Sequence, residues 1–156
     1  MNLCDFLPIL MGIIYHKYAP REPLKLMLLS WLTLALVSSL PCIGSLALQL
    51  ATYVREIAVT KGIGLLIAIL KNNLVVFALN VLLGPLYLGF SVTTTAMVAR
   101  ALASGIPWRV ILGAHTPLEL YAYSLATTRE PKKIARGLVY LVIAALVESW
   151  FINKSW

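Results

Sequence analysis

Charge is what this chain has least of. Its 13 Lys and Arg and 6 Asp and Glu make up 12% of 156 residues, about half the charged share of an ordinary soluble domain. A water-soluble globule does not fit that shortage. With 60% of residues hydrophobic and a mean hydropathy of +0.87, too few polar side chains remain to cover such a globule, and large apolar patches would face water.

Cysteine and histidine are nearly missing as well. Cys4 and Cys42 stand in no CxxC arrangement and show no partner pattern that implies a disulfide framework or a zinc site, so the redox compartment is not legible from them. The two histidines, His16 and His115, are far apart, and zinc catalysis normally takes three protein ligands and an open position. Metal chemistry would need Glu148 as a third ligand beside His115 and Glu119, and no metal or other cofactor is expected. Basic residues do not alternate with aromatics along one element, which argues against nucleic acid despite a net charge of +7. The apolar stretch Phe6 to Tyr15 is preceded by Asp5 instead of a basic region and is followed by no small-residue cleavage site, so it does not read as a signal peptide. Internal repeats, low-complexity tracts and a second domain are absent, leaving one membrane domain over 1–156.

What the chain does have is a succession of apolar runs bounded by small basic groups, where juxtamembrane anchors belong. Residues 1–23 read as an interfacial or partly inserted N-terminal segment, because Phe6 to Tyr15 is too short to cross a bilayer alone. Leu24 to Leu40 is long enough to cross and is ended by Pro41 and Gly44. From Ser45 to Lys61, Leu46, Leu50, Tyr53, Val54 and Ile57 fall on one helical face, with Gln49, Thr52, Glu56 and Thr60 on the other, which predicts an amphipathic helix lying on the membrane surface or packed on the bundle. Gly62 to Leu70 is apolar but short and stops at Lys71, Asn72 and Asn73.

Leu74 to Ala103 is nearly uninterrupted, and at 1.5 Å per residue it exceeds one untilted crossing. Gly84-Pro85 breaks it, and one long kinked span is preferred over two segments. Val110 to Thr127 and Gly137 to Ile152 follow, separated by a loop with Arg129, Lys132, Lys133 and Arg136. The fold class is therefore all-α: a polytopic helical protein of the cell membrane with four or five transmembrane segments plus an amphipathic helix. The basic residues divide almost evenly between the two sides, so orientation stays open. Trp108, Trp150 and Trp156 read as interfacial anchors.

Ionisable residues in such surroundings are functional candidates by default. On a continuous helix His115 and Glu119, four apart, share a face with Leu112, Ala122 and Ala126, and Glu148 shares its face with Gly137, Leu141, Ala144 and Ala145. Small neighbours let helices approach closely, so a shared polar cluster is expected. A structural alternative is a capping box at Thr116-Pro117-Leu118-Glu119, with Glu119 reaching back to the Thr116 N–H. Asn72, Asn73 and Asn80 form a second polar set, with Asn73 expected to cap a helix that starts at Leu74. Thr93, Thr94 and Thr95 are expected to return their hydroxyls to the preceding turn.

Ile69-Leu70-Lys71-Asn72-Asn73, then Gly84 and Gly89 in an apolar run, then Leu112, His115 and Glu119, and finally Ile143-Ala144-Ala145-Leu146-Val147-Glu148 follow one another in an order that resembles the stage II sporulation protein M family of integral membrane proteins. The resemblance covers 69–152. It implies a helical membrane core and a scaffold or partner-recruiting subunit of a membrane complex, not itself an enzyme. The leading expectation is such a non-enzymatic subunit, in contact with the lipid bilayer and assembling with itself or with another membrane protein. Its main rival is a transport or permease-like component in which His115, Glu119 and Glu148 bind an ion or substrate. An intramembrane enzyme is the third class and requires those three groups within coordination or hydrogen-bond distance around an open cavity, whereas the scaffold requires a closed cluster.

Overall fold

The computed structural model describes residues 3–102, 113 and 115–155, with Ala58, Lys154 and Ser155 described by their backbone alone. The starts of the Val110 to Thr127 run, Leu112, Trp108 and Trp156 lie outside the described residues. Among the described residues seven α-helices follow a 3-10 turn at Leu3–Asp5: α1 Leu7–Tyr18, α2 Pro23–Ser39, α3 Ser45–Ala58, α4 Ile63–Leu83, α5 Pro85–Leu102, α6 His115–Ala126 and α7 Pro131–Ser155. Among the described residues there is no strand. Proline is the first residue of α2, α5 and α7, where its missing N–H would have no intrahelical partner in any case. Among the described residues two helices are long and apolar enough to cross a membrane, α4 and the stretch Pro131–Asn153 of α7; α2 is apolar but shorter.

The expected single kinked span over 74–103 is two helices. Gly84 takes φ +64°, a conformation open to glycine, and Pro85 starts α5 directly after it. The join at 70–74 goes the other way. Lys71, Asn72 and Asn73 lie inside α4, because none of them breaks a helix as glycine or proline does, so Asn73 is an interior residue and not a cap.

α1 is packed on the bundle and does not merely rest at its edge. It lies against α5 in the opposite direction: Gly12 faces the Leu86 carbonyl and Phe90, and Pro8 shares a small pocket with Phe90, Thr94 and Met97. Tyr15 is buried there and donates to Thr33 Oγ1 of α2 at 2.7 Å. At the start of α1 the chain is tied twice. Cys4 and Cys42 form a disulfide across a separation of 38 residues, a pairing their sequence spacing does not suggest, and Asp5 Oδ1 accepts from the Ser45 N–H and Oγ at 2.6 and 2.8 Å. A carboxylate on the first turn of α3 meets the positive end of the helix dipole.

On α3 the buried stripe is Ala47, Ala51 and, partly, Val54, turned from the expected Leu46, Leu50 and Tyr53, which are exposed. Alanine lets the α3 backbone approach α5, whereas the larger side chains fit only outside. Polar groups are buried elsewhere too, within a core that is itself mostly apolar. Ser30, Thr33, Ser38, Asn80, Thr93 and Ser124 are buried, while Ile9, Ile13, Leu28, Trp31, Leu36, Val75, Leu82, Val139 and Leu146 are exposed. Thr93 and Thr94 return their hydroxyls to Gly89 O and Phe90 O, and Asn80 donates to Val76 O.

Candidate functional site

Three helices supply the polar groups. α6 and α7 pack on each other, with Ala122, Ala126 and Leu141 fully buried in the shared core, and the ring of Tyr121 meets that of Tyr140 edge-on at 5.2 Å; Ala145 turns to Leu65 and Ile69 of α4. With so little side-chain volume between them, the two helices bring Glu119 and Glu148 together across the seam. The i, i+4 spacing on α6 adds His115 on the same face. His115, Glu119 and Glu148 each offer a ligand atom within 4.8 Å of the others.

α4 closes the third side. Asn73 Nδ2 donates to Glu119 Oε1 at 2.5 Å, and Asn72 Nδ2 donates to Asn73 Oδ1 at 3.5 Å. Glu148 stands beside Glu119, with a carboxyl oxygen of each within 4.8 Å of the other. A chain of polar contacts thus runs Asn72, Asn73, Glu119, Glu148. The capping box expected at Thr116 to Glu119 does not form in that way: α6 already includes His115, the Thr116 N–H donates to Gly113 O, and Glu119 takes its proton donor from a different helix. A helix–helix bond replaces the local one, because Asn73 is buried and leaving its amide N–H unpaired would be costly.

The cluster is not sealed. It opens into a cavity of about 390 Å³ lined by α3, α4, α5, α6 and α7, with Leu34 of α2. His115, Asn73 and Tyr123 are buried at its floor, while Asn72, Val75, Tyr53 and Thr95 are exposed at its rim. The walls are mostly apolar, with a few hydroxyl groups among them, which is the usual make-up of a small-molecule site. His115 is 3% exposed, and among the described residues its Nδ1 has no hydrogen-bond partner. A buried polar atom without a partner is costly and calls for an explanation.

Sequence reasoning missed Tyr123, Ser91, Thr95 and Tyr53 as lining residues. Only Tyr123 carried a signal, since it stands four after Glu119 on the face that carries His115. The hydroxyl groups of α5 carried none, because a serine or threonine on a buried helix ordinarily bonds its own backbone. His115, Glu119, Glu148, Asn72 and Asn73 all meet at one site, whereas His16 lies exposed near the end of α1, outside the cavity lining. No family model, no curated protein and no solved structure matches this chain, so its likeness to the sporulation family rests on motif order alone.

Proposed function

We propose that this chain is a multi-pass helical membrane protein whose His115, Glu119 and Glu148 cluster binds an ion or a small polar ligand inside the bundle, as a transport component does. Its supporting observation is the cavity of about 390 Å³ onto which the cluster opens. A purely structural cluster has no use for such a space, and a bundle held by mutual bonds would gain by filling it. The two carboxyl groups stand side by side, as a scaffold asks, but both also line the cavity.

The membrane part of the reading is supported by polarity. Residues with apolar side chains facing outward and hydroxyl or amide groups facing inward suit lipid as the surrounding solvent. The Cys4–Cys42 bridge supports one orientation of the bundle. Disulfides persist in oxidising compartments, so the end of the bundle that carries Cys4, Cys42 and the start of α3 faces away from the cytosol, and the Arg129 end faces it. The even split of basic residues left that question open.

Thr95→Cys tests the open cavity. Both native cysteines are tied up, so the new thiol is the only free one. In membranes it is expected to react with a small polar thiol reagent, and Ala96→Cys, buried beside it, is expected to stay unreacted. An inert Cys side chain at 95 would mean that polar solutes do not reach the cavity and would remove the basis for ligand binding.

A further inference from the structure

The same cluster has the chemistry of a metal centre, and we propose that His115, Glu119 and Glu148 hold one divalent first-row metal ion of the zinc class. This deepens the ligand-binding reading and rests on the same cavity. Three observations converge. One imidazole and two carboxyl groups come from two helices with ligand atoms within 4.8 Å of one another. His115 Nδ1 is buried in the cluster and, among the described residues, unpartnered. The two carboxyl groups stand side by side with oxygens no more than 4.8 Å apart, and two carboxylates that close are relieved by a shared proton or by a cation between them.

The distances suit an ion with small adjustments. Ligands about 2.1 Å from a tetrahedral ion stand roughly 3.4 Å apart. A set within 4.8 Å closes with side-chain rotations of about an ångström, which the cavity has room for. Two ionised carboxylates and a neutral imidazole balance a divalent charge, and mixed nitrogen and oxygen donors suit zinc, iron or manganese better than calcium. Asn73, donating to Glu119 Oε1, plays the part of the outer partner that orients a ligating carboxylate. Three protein ligands leave a position open, and here it points into the cavity, where water or an oxygen of a bound molecule completes the shell.

The test uses the full chain without an affinity tag, stripped with a chelator and titrated with Zn²⁺ against a fluorescent competitor. One equivalent is expected to bind. His115→Gln and Glu148→Gln are each expected to weaken binding about 100-fold or more, and Asn73→Ala about 10- to 100-fold, while His16→Ala leaves it unchanged. Each variant is first checked for a single symmetric peak in size exclusion. Co²⁺ in place of Zn²⁺ supplies a second readout, with visible bands that move in His115→Gln and not in His16→Ala. Zinc held equally well by His115→Gln would overturn the site, as would the absence of stoichiometric binding by the wild-type chain. If zinc does not bind but a cysteine at 95 reacts, the metal assignment falls and the ligand cavity stands. If neither occurs, both fall.

Discussion

Gly89→Ala is expected to loosen the whole α1 side of the bundle. A Cβ at this position would stand 2.5 Å from the Met11 carbonyl oxygen, 2.7 Å from Tyr15 Cγ and 2.8 Å from Tyr15 Cβ. Favourable carbon contacts lie near 3.5–4.0 Å, so α1 and α5 must separate by about an ångström. Neither neighbour can simply rotate away: one is backbone, and the other is the root of a buried ring. Overpacking of this kind costs about 1–3 kcal/mol. Separation also stretches the Tyr15–Thr33 hydrogen bond of 2.7 Å, adding about 1 kcal/mol. Against this, alanine gains up to about 1 kcal/mol over glycine as a helix former. The net loss is about 1–3 kcal/mol. Gly64→Ala is the matched control, since its Cβ would meet only the Thr60 methyl at 3.1 Å on an exposed face, and it is expected to be neutral or slightly stabilising. Both are measured by unfolding in mild detergent with increasing denaturing surfactant. If Gly89→Ala proves as stable as Gly64→Ala, the close approach of α1 and α5 is wrong.

Glu148→Gln keeps a hydrogen-bonding group beside Glu119, whereas Glu148→Leu removes it, so the leucine variant is expected to be less stable by a further 1–3 kcal/mol or about that; equal loss of monodisperse protein for both would count against a polar pairing. Cys4→Ser removes a cross-link over 38 residues, worth about 4 kcal/mol for a free chain and less where the helices stay inserted; unfolding with and without reductant reads it, and wild-type protein indifferent to reductant would deny the bridge. Arg129 donates to Val81 O and Leu82 O at 3.1 and 2.7 Å, capping the end of α4. Arg129→Ala is therefore expected to lose about 1–2 kcal/mol, with Arg129→Lys recovering only part because an ammonium lacks the planar fork. An unchanged unfolding midpoint in the alanine variant would show that the cap contributes nothing.

Hydropathy made the all-α reading legible, and proline and glycine positions made several boundaries so. α2 begins at Pro23 and α3 at Ser45, within a residue of where the runs of apolar side chains start. Those signals are local, and local signals suffice where backbone restriction sets the answer. Lys71 to Asn73 misled for the same reason: polar residues in an apolar run look like an interruption, although their helix propensity allows continuation and their role is decided by what lies opposite.

The sequence by itself determined which residues are costly to bury, and so singled out His115, Glu119, Glu148, Asn72 and Asn73. Only the tertiary structure decided which of them bond, that Ala47 and Ala51 face inward in place of Leu46 and Leu50, that Cys4 reaches Cys42, and that the carboxyl groups border an open cavity. The physical reason is range. Burial cost and helix propensity belong to single residues and their neighbours in the chain, whereas partners 38 or 46 residues away are chosen by how closely the helix surfaces between them can pack.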